Sequence, residues 1–197
     1  MVKKGTDRPV RMLLLFGDLY GANCTSDQKK LSIVTKYRRC GWELTLAGAE
    51  RTVQPCAFAQ QRGAEPLKLD CTIDELSDVT EFDGIVVMPG PAHRDLIDSP
   101  AAMETIRRAA DEGLVVSGWC RGVCVLAAAD VLRGKRVVGH ADDKDAIERA
   151  GGRFVGQDHP PVIDGSLVTG ARCYYYRAKN AEAIRKAMSG QAARGTR

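Results

Sequence analysis

The chain has 197 residues, enough for one domain with a sizeable core. Hydrophobic residues make up 44% and charged residues 27%, a globular mixture rather than a disordered one. The longest apolar runs, such as residues 12–16, are too short to cross a bilayer, and no leader with a cleavage site opens the chain. Neither a membrane partner nor secretion is therefore expected.

The net charge of +4 is unevenly placed. Lys3, Lys4 and Arg8 against Asp7, with Arg185, Lys186, Arg194 and Arg197, give the two ends +6 and leave the body at −2. A nucleic-acid footprint needs basic residues clustered on a folded face, so no nucleic-acid partner is expected. The reading is a basic N-terminal tail (1–10), a single domain (11–188) and a basic C-terminal tail (189–197). Seven cysteines, at 24, 40, 56, 71, 120, 124 and 173, lack metal-type CxxC spacing. Their odd number argues against a disulfide framework and for a reducing, cytoplasmic compartment.

Short apolar runs alternate with longer amphipathic stretches, the βαβ pattern of a parallel sheet between helices. Residues 11–16 read as a buried strand, followed by a loop over 17–24. Thr25 or Ser26 can cap a helix running to about Cys40, with Leu31, Val34 and Tyr37 inward, and Gly41 stops it. Residues 42–47 form the second strand. Residues 49–65 are read as a hairpin or surface excursion, 67–73 as a weak edge strand, and 73–77 as a short helix. A buried strand over 84–88 ends in the turn Pro89-Gly90-Pro91. Ser99 caps a helix that begins at Pro100 and runs to about Ala110.

Residues 114–117 are the next strand, and a helix follows from about 121 to 129. Short extended pieces are expected at 135–138, 153–155, 162–163 and 167–169, with a tight turn at Asp164-Gly165. Residues 143–150 and 178–188 read as helices. Two of the three tyrosines at 174–176 are expected to pack between the last helix and the sheet.

The stretch Ser117-Gly118-Trp119-Cys120-Arg121-Gly122-Val123 carries the chemistry. A strand runs straight into a helix through G-x-C-x-G, the cysteine version of the strained turn that lifts a nucleophile above a sheet. Gly118 and Gly122 lack side chains where strand and helix backbones must approach. Cys120 then sits beside unpaired amides, and Arg121 favours its thiolate further. No phosphate loop, dinucleotide fingerprint or metal-ligand cluster is read, so no cofactor is expected.

At these residues the chain resembles the ThiJ/PfpI superfamily. The resemblance runs from Arg11 to about Met188, most closely over residues 82–90, 118–122, 129–136 and 162–170. It implies an α/β, three-layer α-β-α sandwich with a mostly parallel sheet, class I glutamine amidotransferase-like (flavodoxin-like). It also implies that Cys120 is the reactive residue and that His140, about twenty residues on, moves protons near it. The family's glutamate inside the first helix has no counterpart, since Ser26 or Lys29 falls near that position. Asp27 or Asp18 is the proposed substitute.

The resemblance puts an oxyanion hole at Gly90 and the Arg121 amide. Pro91 stands where the family has a second glycine, and proline has no N–H to donate. His93 and Arg172 are read as pocket residues, Arg172 as an anion holder. The peptidase branch has histidine directly after the cysteine, and Arg121 there disfavours proteolysis. The implied function is cysteine chemistry on a small electrophile, glyoxalase/deglycase- or hydrolase-like, in a homodimer. The alternatives are an oxidative-stress sensor or chaperone without efficient turnover, and a non-catalytic partner-binding domain.

Overall fold

The computed structural model describes residues 8–24, 32–91 and 93–194, with side chains through residue 190. In chain order these residues form β1 (Arg11–Phe16), β2 (Leu19–Tyr20), α1 (Ile33–Arg39), β3 (Glu43–Gly48), β4 (Thr52–Pro55), α2 (Ala57–Gln60), β5 (Leu67–Lys68) and β6 (Cys71–Thr72). Next come β7 (Gly84–Val87), α3 (Arg94–Ile97), α4 (Pro100–Asp111), β8 (Val115–Trp119), α5 (Gly122–Ala128) and β9 (Arg136–Val137). The chain continues through α6 (Lys144–Arg149), β10 (Arg153–Phe154), β11 (Val162–Asp164), β12 (Leu167–Gly170) and α7 (Cys173–Arg194).

The main sheet has seven strands in the order β11-β12-β8-β7-β1-β3-β6. All its pairings are parallel except β11 with β12, which turn tightly at Asp164-Gly165. Side chains alternate across a strand, so β1 feeds two cores. Met12, Leu14 and Phe16 meet Tyr37 of α1 and Ile184 of α7 on one face. Leu13 and Leu15 meet Ile106 of α4, Val123 of α5 and Ile147 of α6 on the other. The result is the expected three-layer α-β-α sandwich. Strand β1 lies centrally, with β3 to one side and β7 then β8 to the other. The chain reverses its direction of travel there, and ligands of open α/β sheets bind outside the carboxyl ends of strands at such a point.

Several local expectations change. Ser32 caps α1, its side chain accepting from the Thr35 amide, whereas Thr25, Ser26 and Leu31 lie outside the described residues. The single edge strand expected over 67–73 is split into β5 and β6, which join different sheets. The stretch 49–65 holds β4 and the one-turn helix α2, and β4 pairs with β2 and β5 in a small satellite sheet. The last helix starts five residues earlier than expected, at Cys173, and runs to Arg194, through much of the supposed C-terminal tail. With that early start Tyr174 is 60% and Tyr175 73% exposed, so at most one of the three tyrosines packs inward where two were expected. Aromatic residues favour strands only weakly, and the continuing helix overrides that preference.

A buried hydrogen-bond chain ties the helical layer to the strand before the elbow. The Trp119 indole donates to the Tyr37 hydroxyl at 2.9 Å, and that hydroxyl donates to Asn180 Oδ1 at 2.9 Å. Tyr37→Phe strands a buried donor and a buried acceptor at once. The expected loss is about 1–3 kcal/mol, read as a fall of roughly 5 °C in thermal midpoint. An unchanged midpoint would mean that the chain contributes nothing to stability.

Candidate active site at the Cys120 elbow

Cys120 follows β8 directly and takes φ +48°, the left-handed region that costs a non-glycine residue about 1–3 kcal/mol. Its amide donates to the Gly170 carbonyl at 2.7 Å, and its carbonyl accepts from Val123 at 3.2 Å. These bonds hold the turn between adjacent strands. Gly122 allows it: a Cβ there would lie 2.8 Å from the Val87 carbonyl oxygen and 3.0 Å from that of Met88. Gly118 is excluded less rigidly, by the Leu126 side chain. Helix α5 spans only seven residues, so a long helix dipole is not what tunes the thiol.

What does tune it is local. The Cys173 thiol donates a hydrogen bond to the Cys120 sulfur, and this is the largest influence lowering the Cys120 pKa from its ordinary value. Burial opposes it, the Arg121 amide helps, the Asp143 carboxylate opposes, and the Arg121 guanidinium helps. Cys173 itself is pushed well up by the same hydrogen bond and by burial. Cys124, one turn into α5, donates to the Arg121 carbonyl at 2.8 Å, and burial pushes its pKa up to about 11. It is a structural thiol.

Arg121 forks between Asp142 at 3.0 Å and Asp143 at 3.3 Å. Asp143 is buried, and its second carboxylate oxygen has no hydrogen-bond partner among the described residues. Burial raises its pKa while Arg121 and His140 lower it. Removing either charge therefore shifts Cys120 in opposite directions. Arg121→Gln is expected to slow thiol alkylation at neutral pH a few-fold, and Asp143→Asn to speed it a few-fold. Alkylation rates of the two variants check this; equal rates would disprove the electrostatic account.

His140 belongs to the same cluster. It caps the turn over residues 141–143, and its Nδ1 accepts from the Asp142 amide at 3.2 Å. That bond places the proton of the neutral ring on Nε2. Among the described residues the side chain that hydrogen-bonds the Cys120 sulfur is Cys173, while His140 lies 3.4 Å from the Asp142 carboxylate and acts electrostatically on Asp143. His93 is 2% exposed, and neither ring nitrogen has a hydrogen-bond partner among the described residues. Burial and then Arg121 push its pKa down to about 4, so it is neutral at pH 7. It sits against Gly90, where a Cβ would lie 3.1 Å from His93 Cε1 and would also strike the Leu19 carbonyl.

Of the two expected carboxylate substitutes, only Asp18 is among the described residues, and Asp27 lies outside them. Asp18 accepts from the Leu19 amide at 3.0 Å and lines a cavity of about 290 Å³ with Glu50, Leu69 and Asp95. A carboxylate can reach its own neighbouring amide cheaply in such a turn, and Asp18 does so at the far side of β1. The carboxylate that Cys120 senses is Asp143, which the sequence reading missed although it lies three residues past His140. Arg172 also takes φ +48° and pairs with Asp158 at 2.5 Å, within electrostatic reach of Cys120. Cys173 was missed as well. Its signal was the strand over 167–170 running into a helix directly beside the elbow.

Comparison with known proteins agrees with this architecture. Protein DJ-1 homolog D of Arabidopsis thaliana is 31% identical over 105 residues, 52% of this chain and 27% of that protein. Deglycase PfpI of Pyrococcus furiosus is 31% identical over 103 residues, 52% of this chain and 60% of that protein. The aligned stretch thus spans less than two thirds of either relative. A ThiJ/PfpI domain protein from Brachyspira murdochii superposes with a TM-score of 0.74 at 17% identity, covering 93% of this chain and 99% of that one. A two-domain protein from Anabaena variabilis that contains DJ-1/ThiJ/PfpI-like and ferritin-like domains gives 0.74 at 22% identity, covering 91% of this chain and 50% of that one. Among the described residues no helix is long and apolar enough to cross a membrane. The DJ-1/PfpI family model matches residues 21–185, most of the chain, and the chain belongs to the DJ-1/PfpI family.

Proposed function

We propose that the protein uses Cys120 as a nucleophile toward small electrophilic carbonyl compounds, 2-oxoaldehydes or their adducts with amines and thiols. The observation that carries this reading is a half-buried thiol on a strained elbow, hydrogen-bonded by Cys173 so that its thiolate is favoured. The relatives named as deglycases point to the same chemistry.

In this reading the Cys120 thiolate adds to the aldehyde carbon, forming a C–S bond as the carbonyl π electrons move to oxygen. The Arg121 amide steadies the developing oxyanion, and a proton completes a hemithioacetal. Pro91 supplies no second amide donor, so turnover is expected to be modest. His140 carries the proton in this reading: once its Nδ1 lone pair leaves the Asp142 amide, it takes the proton of the adduct carbon and returns it to the neighbouring carbonyl carbon through an enediol, leaving a thioester on Cys120. Water then releases a 2-hydroxy acid and restores the thiol. A homodimer and a cytoplasmic location belong to the same reading, carried by the family resemblance and by seven unpaired cysteines.

The test is a 2-oxoaldehyde incubated with the wild-type protein, with substrate loss and hydroxy-acid formation followed together. Catalytic conversion, many products per protein chain, supports the proposal. A stoichiometric adduct without released product would overturn it.

A further inference from the structure

Two strand-to-helix turns leave the sheet side by side. Strands β8 and β12 run parallel with Trp119 opposite Gly170, and the Cys120 amide binds the Gly170 carbonyl at 2.7 Å. Each chain then passes through a residue at φ +48°, Cys120 in one and Arg172 in the other. The second turn delivers Cys173 as the first residue of α7, with its thiol on the Cys120 sulfur. Cys173 is 6% exposed and belongs to the core, whereas Cys120 packs only partly against it. An incoming oxidant therefore meets Cys120 first and finds a second thiol directly behind it.

We propose that Cys120 and Cys173 are a redox pair, Cys120 attacked by a hydroperoxide and Cys173 resolving it to an intramolecular disulfide. This activity goes beyond carbonyl chemistry and shares with it only the nucleophilicity of Cys120. In the first step the thiolate attacks the peroxide. The O–O bond breaks, an S–O bond forms, sulfur loses two electrons, and the departing alkoxide takes a proton to leave as alcohol. In the second step the Cys173 sulfur displaces hydroxide from the Cys120 sulfenic acid. The S–O bond breaks, the S–S bond forms, and the Cys173 proton leaves with the hydroxide as water. A low-molecular-weight thiol then reduces the disulfide by exchange at the exposed sulfur.

The neighbouring thiols are differently engaged. Cys24 is fully buried and donates to the Pro89 carbonyl at 3.1 Å, and Cys124 donates to the Arg121 carbonyl at 2.8 Å. Of these three thiols, Cys173 is the one that donates to the reacting sulfur. Its own reluctance to ionise comes from that hydrogen bond, from burial and from the charge on Cys120. Two of those three causes disappear once Cys120 is a neutral sulfenic acid, so the resolving thiol is released for attack by the event it resolves. Without a resolving partner a sulfenic acid proceeds to the irreversible sulfinic form.

The experiment treats the reduced full-length protein with one equivalent of hydrogen peroxide, blocks free thiols, and maps tryptic peptides. Cleavage puts Cys24, Cys120, Cys124 and Cys173 on separate peptides, residues 12–29, 109–121, 122–133 and 173–177. The expected product is peptide 109–121 joined to 173–177, lost on adding dithiothreitol. In Cys173→Ser the joined peptide vanishes and sulfinic acid at Cys120 rises about tenfold. Should that variant fail to fold, the wild-type map alone decides. Sulfinic acid at Cys120 with Cys173 recovered as a free thiol, or a bridge from Cys120 to Cys24, would overturn the proposal. An unoxidised Cys120 that still alkylates rapidly would overturn it too, while leaving the carbonyl reading intact.

Discussion

Cys120→Ser is expected to lower turnover of a 2-oxoaldehyde by on the order of a thousandfold or more, with the fold retained. Serine is nearly isosteric with cysteine, so the elbow can keep φ +48° and the amide bond to Gly170. The Cys173 thiol keeps an acceptor in the serine oxygen. What disappears is the ionisable sulfur, because a serine hydroxyl has no comparable anion near neutral pH without a strong base beside it. His140 engages Asp142 through Nδ1, and among the described residues no histidine is one of the groups that hydrogen-bond the nucleophile. Matched circular dichroism and melting curves separate chemistry from folding. Full turnover in the variant would remove the carbonyl reaction from this elbow.

Gly122→Ala is expected to destabilise the protein by about 1–3 kcal/mol, the range for an overpacked interior site. In an ordinary helix the same change would stabilise by nearly 1 kcal/mol, so the sign itself is the test. The added methyl would sit 2.8 Å from the Val87 carbonyl oxygen and 3.0 Å from that of Met88. Both are backbone atoms of the strand end beside the elbow and cannot swing aside. Relief requires α5 to move away from β7, and Cys120 must move with it. The thiol then loses its alignment with Cys173 and the Arg121 amide, so slower alkylation accompanies the lower midpoint. A stabilised variant with unchanged thiol reactivity would show that the close approach is unimportant.

The fold was legible because its signals are local and redundant. Each of the buried runs at β1, β7 and β8 is bracketed by turn residues, and G-x-C-x-G announces its own geometry. Ser99-Pro100 marked the start of α4 correctly, with the Ser99 hydroxyl accepting from the Ala102 amide at 3.1 Å. Short satellite strands such as β5 and β6 were not separable, because two-residue pairings are set by tertiary contacts rather than by pattern.

The site was legible only where one stretch of chain held it. Cys120 and Arg121 are adjacent in sequence, and both occupy the elbow. Cys173 lies 53 positions past Cys120, and only the pairing of β12 with β8 brings them together. Asp18 looked apt because it follows a strand end, yet a strand end serves both sides of its sheet. Its own neighbouring amide and the cavity over β3 claim it instead.

The central claim is that the elbow favours the Cys120 thiolate. The most direct measurement is the alkylation rate of Cys120 against pH, with peptide mapping to separate it from the other six cysteines. The rate should follow thiolate fraction and reach half its plateau well below the roughly 8.5 of a free thiol. Cys173→Ala should move that midpoint upward, since the Cys173 hydrogen bond is the largest influence lowering it. A wild-type midpoint at or above the free-thiol value would contradict the account, leaving the elbow as scaffold.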